Sequence, residues 1–253
     1  MEKSIYDEET FFDAYSQMQR SVEGLAGAGE WEALASILPD FEGKAVLDIG
    51  CGYGWHCQYC AEHGAASVIG IDPAQRMLDV AQSKNHYPDI VQYELGDAES
   101  VKFTDGQFDV ILSSLALHYV ADYDQLVQKM YRMLKPQGQL IFTVEHPLFT
   151  AEGSEDWVKN DAGEIDHFPV DNYFVEGQRE THFLGSDVKK YHRTLTTYLE
   201  TLLKNGFALQ HVIEPTPPEH MLGQPGMRDE LRRPMMLIIS AEKKNDDVFK
   251  DAN

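Results

Sequence analysis

The segment Val46–Trp55, VLDIGCGYGW, constrains this chain more than any other. The run Val46-Leu47-Asp48-Ile49 suits a strand buried on both faces of a parallel sheet. Gly50, Gly52 and Gly54 follow on alternate positions, so the chain can turn tightly and a ligand can rest against bare backbone. Asp48 puts a carboxylate at the strand's exit, the edge at which open α/β sheets bind their ligands. A strand that ends in a glycine loop and opens a helix is a cradle for a nucleotide-like cofactor.

The spacing narrows the choice of cofactor. The dinucleotide fingerprint G-x-G-x-x-G needs a third glycine at position 55, where this chain has Trp55. A second strand, Ser67-Val68-Ile69-Gly70-Ile71-Asp72, ends in a carboxylate about 20 residues further on, placed to accept both ribose hydroxyls of a nucleoside. Pro73 is predicted at a first helical position, with Met77, Leu78 and Ala81 on the buried face of the helix. Val91–Ala98 and Phe108–Tyr119 read as two further strand-and-turn units.

The pattern D-x-G-x-G-x-G from Asp48 to Gly54 resembles motif I of the class I S-adenosylmethionine-dependent methyltransferases of the small-molecule type. Asp97-Ala98 resembles that family's adenine-reading pair, and Phe108–Tyr119 its fourth motif. The four motifs run in order over residues from about 46 to 145. The resemblance implies an α/β fold: a Rossmann-like, doubly wound, seven-stranded sheet, mostly parallel with an antiparallel last strand. It implies one methyltransferase domain over residues 1–253, with a helical cap at 1–40. A substrate-lid insertion at 147–191 falls between the fifth strand and the last helix. The implied cofactor is S-adenosyl-L-methionine, leaving as S-adenosyl-L-homocysteine.

Residue by residue, the resemblance implies cofactor contacts from Asp48, Gly50, Cys51, Gly52 and Gly54. Further contacts are implied from Asp72, Pro73 and Met77, and from Asp97, Ala98 and Glu99. Ser113 and Ser114 would act through backbone carbonyls, beside His118. In the N-terminal segment, Tyr15 and Arg20 are candidates for the methionine end, Arg20 for its carboxylate; a plain packing helix is the competing reading. A hydroxyl or protonated amine acceptor would need a general base. His146, at the end of the fifth strand, is the first candidate and His118 the second. Tyr119, Glu145, Trp157, Tyr173 and His192 are candidates for the substrate side.

Composition removes several rivals. A net charge of −21 disfavours a nucleic-acid substrate, because a phosphate backbone demands a basic surface. No stretch approaches the ~20 apolar residues of a membrane span, and the first residues do not read as a signal peptide. The hydrophobic fraction of 43% can furnish one large core, and no internal repeat is visible. The three cysteines, Cys51, Cys57 and Cys60, fit a reducing, cytoplasmic setting. Cys57-x-x-Cys60 lies near His56 and His63 but has no second pair, so it reads as helix packing and no metal is expected.

The expected partner is a small-molecule methyl acceptor, taken at an O or N atom, with neither nucleic acid nor membrane. The aromatic residues of 147–191 suit a lid, and a homodimerisation arm is the competing reading. Three other functions stand beside this one. A nicotinamide-dependent dehydrogenase is opposed by Trp55 and Asp97-Ala98. Methylation of protein or RNA is opposed by the charge and the aromatic insertion. A cofactor-binding regulatory protein without transfer is opposed by the intact glycines, Asp72 and the histidines.

Secondary structure elsewhere follows from local signals. Tyr6–Arg20 is predicted as one helix, then a flexible Gly24–Gly29 stretch and a helix over Glu30–Leu38. Asp122 is expected to cap a helix that ends at Lys135-Pro136-Gln137-Gly138, with Gln139–Val144 as the fifth strand. Thr194–Leu203 reads as a helix, Phe207–Ile213 and Met235–Ala241 as the last strands, and the polar tail after Glu242 as frayed.

Overall fold

The computed structural model describes residues 4–244. A 3-10 turn, Ile5–Asp7, precedes helices α1 (Glu9–Ser16) and α2 (Gln19–Glu23), and a second such turn, Gly24–Gly27, leads to α3 (Trp31–Ala35). Strands and helices then alternate as β1 (Ala45–Ile49), α4 (Trp55–Glu62), β2 (Ser67–Asp72), α5 (Gln75–Ser83), β3 (Val91–Leu95) and β4 (Phe108–Ser114). Helix α6 (Tyr123–Met133) runs into β5 (Leu134–Glu145), which is followed by α7 (Pro147–Thr150). Two hairpins come next, β6 (Val158–Lys159) with β7 (Ile165–His167), and β8 (Gly177–Phe183) with β9 (Ser186–His192). Helix α8 (Leu195–Lys204), β10 (Phe207–Ile213) and β11 (Met236–Lys243) complete the chain.

Seven strands form one sheet in the order β10-β11-β5-β4-β1-β2-β3, with β11 antiparallel to both neighbours. This is the doubly wound, Rossmann-like sheet expected from the motifs. The chain winds outward from β1 through β2 to β3, then returns to β4 on the other side of β1. That reversal opens a crevice at the carboxyl ends of β1 and β4, where sheets of this kind take ligands.

Alternation along β1 supplies both cores. Leu47 and Ile49 join Ile111, Leu126, Met130, Phe142 and Tyr198 under α6 and α8. Val46 joins Val68, Val110, Cys57, Cys60 and Leu34 under α3 and α4. Cys57 and Cys60 are fully buried free thiols in this second core, consistent with packing.

Local signals mark the helix ends well where a side chain caps them. Asp122 accepts from the Gln125 amide at 2.9 Å, and the Thr194 hydroxyl accepts from the Thr197 amide at 3.1 Å. Elsewhere the structure differs from the sequence reading. The helix expected over Tyr6–Arg20 is broken, because Met18 is extended and starts α2 afresh. Residues 24–27 form a 3-10 turn packed on α2. A Cβ on Gly27 would stand 2.5 Å from the Gln19 carbonyl oxygen, so close approach selects glycine there. The helix predicted over Glu30–Leu38 spans only Trp31–Ala35. Pro73 precedes the extended Ala74 that flanks α5, so it stands outside the first turn. Strand β5 begins at Leu134 and bulges, since Phe108 pairs with Leu134 and Val110 with Gln139. The tail from residue 245 onward, expected to fray, lies outside the described residues.

Gly70 in β2 faces a crowded spot. A Cβ there would lie 2.8 Å from Cys57 Sγ, 2.9 Å from Cys51 Sγ and 2.9 Å from Tyr93 Cδ1. Gly70→Ala is therefore expected to lower stability by about 1–3 kcal/mol through overpacking, measured by urea unfolding. An unchanged midpoint would mean that the sulfurs yield freely.

Candidate functional site

A cavity of about 810 Å³ opens at the carboxyl ends of β1 and β4, within the size range of small-molecule sites. The glycine loop forms one end. The Gly50 and Cys51 amides both donate to the Ile71 carbonyl, at 2.8 and 2.9 Å, and so tie the loop to the end of β2. Gly50 has φ +74°, and a Cβ on it would come within 2.4 Å of the Ala116 Cβ. Next in the loop, the Gly52 amide donates to Asp72 Oδ2 at 2.9 Å, and the Ala74 amide donates to Asp72 Oδ1 at 2.9 Å.

Asp72 borders the cavity, yet its carboxyl is almost wholly buried, and burial pushes it up to about 6 despite these two amide bonds. Each carboxylate oxygen has two lone pairs, so both can still accept from a ligand hydroxyl. Pro73, Met77, Asp97, Ala98 and Glu99 border the same end. Burial acts to raise Asp97, but bonds from the Ser100 amide (2.7 Å) and hydroxyl (2.5 Å) outweigh it and hold the carboxyl below its usual range. Tyr15 and Arg20 also line the cavity, with the Arg20 guanidinium bound to both carboxylate oxygens of Glu30 at 2.9 Å.

Four residues assigned to the cofactor from the motifs stand behind this surface. Asp48 is buried beneath the loop, accepts from Cys57 Sγ at 3.3 Å, and is pushed up to about 7 by burial. Cys51 packs into the core beside it. Gly54 answers an internal need, because a Cβ there would lie 2.1 Å from the Tyr93 hydroxyl. Ser113 turns back into the sheet and donates to the Ile49 carbonyl at 2.8 Å, whereas Ser114 does line the cavity.

His118 and Tyr119 from the 3-10 turn Leu117–Tyr119, Glu145 from the end of β5, and Tyr6, which packs on Tyr15, also line the cavity. Phe183 and Val188 from the β8–β9 hairpin, with Met221, Met227, Met235 and Met236, form an apolar wall. The segment between β10 and β11 escaped the sequence reading. Its prolines, Pro215, Pro217 and Pro218, and its methionines were the available signal, since flexible thioethers suit an adaptable wall.

The histidines divide sharply. Burial lowers His118 to about 4, so its ring is neutral. Its Nδ1 accepts from the Glu145 amide at 3.4 Å, which leaves the proton on Nε2, 3.9 Å from Glu145 Oε2. His118 thus offers a donor to the site. His146, the first candidate base, does not border the cavity. Its Nδ1 accepts from the Leu148 amide at 3.0 Å as the N-cap of α7, and its Nε2 lies 2.9 Å from Glu214 on the far side.

Three candidates on the substrate side are also displaced. His192 is fully buried, with Nδ1 2.8 Å from the Thr150 hydroxyl and Nε2 2.8 Å from the Tyr173 carbonyl oxygen. The Tyr173 hydroxyl accepts from the Leu195 amide at 3.0 Å. Trp157 packs on Phe168 and under the Arg232 and Arg233 guanidiniums. All three make contacts among residues 150–195 and with Arg232 and Arg233, and Tyr119 and Glu145 are the substrate-side candidates that reach the cavity.

Comparison with known proteins agrees with the geometry. A methyltransferase-domain family model matches residues 47–142. An uncharacterized protein of Haemophilus influenzae is 32% identical over 246 residues, covering 95% of this chain and 97% of its own. The crystal structure of an S-adenosylmethionine-dependent methyltransferase from Mesorhizobium loti is 40% identical, with TM-score 0.80 over 87% of this chain and all of that one. A Listeria monocytogenes protein assigned to the same activity is 54% identical, with TM-score 0.84 over 88% of this chain and all of that one.

The capping role makes His146 a stability residue. His146→Ala is expected to cost about 1 kcal/mol in chemical unfolding while His146→Asn, which can cap, costs less. Equal stability of wild type and His146→Ala would remove the cap from the account.

Proposed function

The chain belongs to the S-adenosylmethionine-dependent methyltransferase family, and from that premise we propose that it methylates an oxygen or nitrogen atom of a small, partly apolar metabolite. The observation that carries this reading is the continuity of one cavity from Asp72 and the glycine loop to the apolar wall around Phe183 and Met227. An 810 Å³ space holds a nucleoside-sized donor with a modest second molecule. The net charge of −21 also opposes an anionic polymer. Among the described residues no helix is long and apolar enough to cross a membrane.

The residues present fit the donor. Bare backbone at Gly50 and Gly52 leaves room beside a buried carboxylate, and Asp72 is held in place by two amides while keeping lone pairs for a ribose diol. Asp97 and the Ala98 amide suit an adenine edge, and Tyr15 with the Arg20–Glu30 pair suits an amino acid end. Bound there, S-adenosylmethionine supplies a sulfonium-activated methyl group and leaves as S-adenosylhomocysteine. The chain's task is to align the acceptor and exclude water. For that we assign the segment 1–40 as a cap and 147–191 as a cover. From the cover, Phe183, Asp187, Val188 and Lys189 border the cavity. The buried free thiols suit a reducing cytoplasm.

Calorimetric titration with S-adenosylmethionine, S-adenosylhomocysteine and NAD tests the reading. Micromolar affinity for the first two is expected, and binding of NAD alone would overturn it. Asp72→Ala should weaken S-adenosylhomocysteine by roughly 1.5–3 kcal/mol, about 10- to 100-fold. The pH dependence has a definite sign. The ionised Asp72 accepts the diol, so affinity is flat above pH about 6 and falls up to tenfold per unit below it. A profile unchanged down to pH 5 would remove Asp72 from the contact.

A further inference from the structure

The methionines of this chain gather at one place. Of nine in the sequence, six line the cavity: Met18, Met77, Met221, Met227, Met235 and Met236. Met77 stands at the glycine loop, its Cε 3.4 Å from where a Cβ on Gly52 would lie. Met236 opens β11 and pairs with Glu145 at the end of β5, so it shares the sheet edge of Asp72 but lies four strands away. At a strand spacing of about 4.8 Å that is roughly 19 Å along the sheet. A donor whose ribose meets Asp72 and whose adenine meets Asp97, just past β3, extends away from β11. The β5–β11 side of the cavity is left to the acceptor. Met227, Met235 and Met236 are only partly buried while lining the cavity, and Phe183 and Val188 from the β8–β9 hairpin line it with them. A thioether on a chain of rotatable bonds refits to ligands of different outline, whereas a β-branched side chain holds one shape.

The charges of this wall are paired within the protein. Glu145 accepts from Lys190 Nζ at 2.6 Å, and the same ammonium meets Glu155 at 2.7 Å. Glu230 is held by the Arg233 guanidinium at 2.6 and 3.2 Å. Arg233 is itself clasped, 4.5 Å from the Phe149 ring centroid, 4.6 Å from that of Phe168 and 5.0 Å from that of Trp157. Burial keeps the His118 ring neutral. Asp187 and Lys189, two apart on β9, are exposed, and solvent screens their charges. An incoming carboxylate or phosphate would lose its water and find Lys190 and Arg233 already engaged. An ammonium could reach Glu145 or Glu230 only by displacing the cation that each one holds.

We infer that the acceptor is an uncharged, apolar molecule and that the methionine wall admits acceptors of differing shape, an inference that rests on the methyl-transfer reading above. Selection then acts on charge more than on outline. The internal ion pairs reject charged molecules, and the thioethers yield to shape.

The test uses the full chain saturated with S-adenosylhomocysteine and calorimetric titration near neutral pH. The probes share one ring system: 2-naphthol is neutral, 2-naphthoate an anion and 2-naphthylmethylamine a cation. Geraniol is added as an uncharged alcohol of different outline. The two alcohols are expected to bind within about tenfold of each other, and each charged probe at least about tenfold more weakly than 2-naphthol. Met227→Ile with Met235→Ile and Met236→Ile replaces flexible side chains by branched ones of similar size. It should change the affinity ratio of the two alcohols by about tenfold or more, with S-adenosylhomocysteine affinity within about twofold of wild type. If that variant fails to fold, Met227→Ile alone should change the ratio by at least about threefold. With S-adenosylhomocysteine bound, three outcomes overturn the inference while methyl transfer stands: a charged probe that binds as tightly as 2-naphthol, no binding of either alcohol, or an unchanged ratio in the folded variant. Failure of wild type to bind S-adenosylhomocysteine overturns the methyl-transfer reading and this inference with it.

Discussion

Strand β1 is buried on both faces, and the rest of the molecule is arranged around that constraint. A strand with Val46 on one face and Leu47 on the other must be covered by helices on both sides, so neither face can open to a ligand. What remains is its carboxyl end. There the chain reverses its winding between β1 and β4, and the Gly50, Cys51 and Gly52 amides bind the turn to the last residues of β2. The cavity lies at this end because packing leaves it nowhere else along the strand.

Burial then sorts the acidic groups that meet the cavity. Asp72 is desolvated with only backbone amides for support, and its carboxyl rises. Asp97 is half-exposed and well bonded, and its carboxyl falls. Glu145 and Glu155 share the Lys190 ammonium; burial, with Glu145 nearby, raises Glu155, whereas Glu145 is held below its usual range. The cavity wall thus differs in kind along its length, with backbone amides and a buried carboxylate at the glycine loop, and His118, Glu145, aromatic rings and methionines elsewhere.

Much of the fold was legible because its signals are local. Alternating glycines, apolar runs closed by Asp72, and the Asp122 and Thr194 caps each report on neighbours a few residues away. The histidines show where such reading stops. His118 and His146 follow β4 and β5 at the same sheet edge and His192 ends the β9 hairpin strand, yet one borders the cavity, one caps α7 and one joins Thr150 to Tyr173. Residue type marks the capacity for chemistry, whereas direction depends on the turn taken after each strand. Asp48 and Ser113 teach the same lesson, since strand alternation points both into the layers between sheet and helices.

By itself, the sequence determined the parallel α/β sheet, the glycine turn, the carboxylate at the end of β2 and the family. Each is encoded in spacing along a single stretch of backbone, where geometry follows directly from φ freedom and hydrophobic period. The tertiary structure decided which side chains share the cavity. Tyr6, His118, Glu145, Phe183 and the methionines between β10 and β11 come from segments far apart in the chain, and no local pattern states that they meet. Their assembly depends on how the hairpins and the last crossover fold over the sheet edge, and long-range packing sets that.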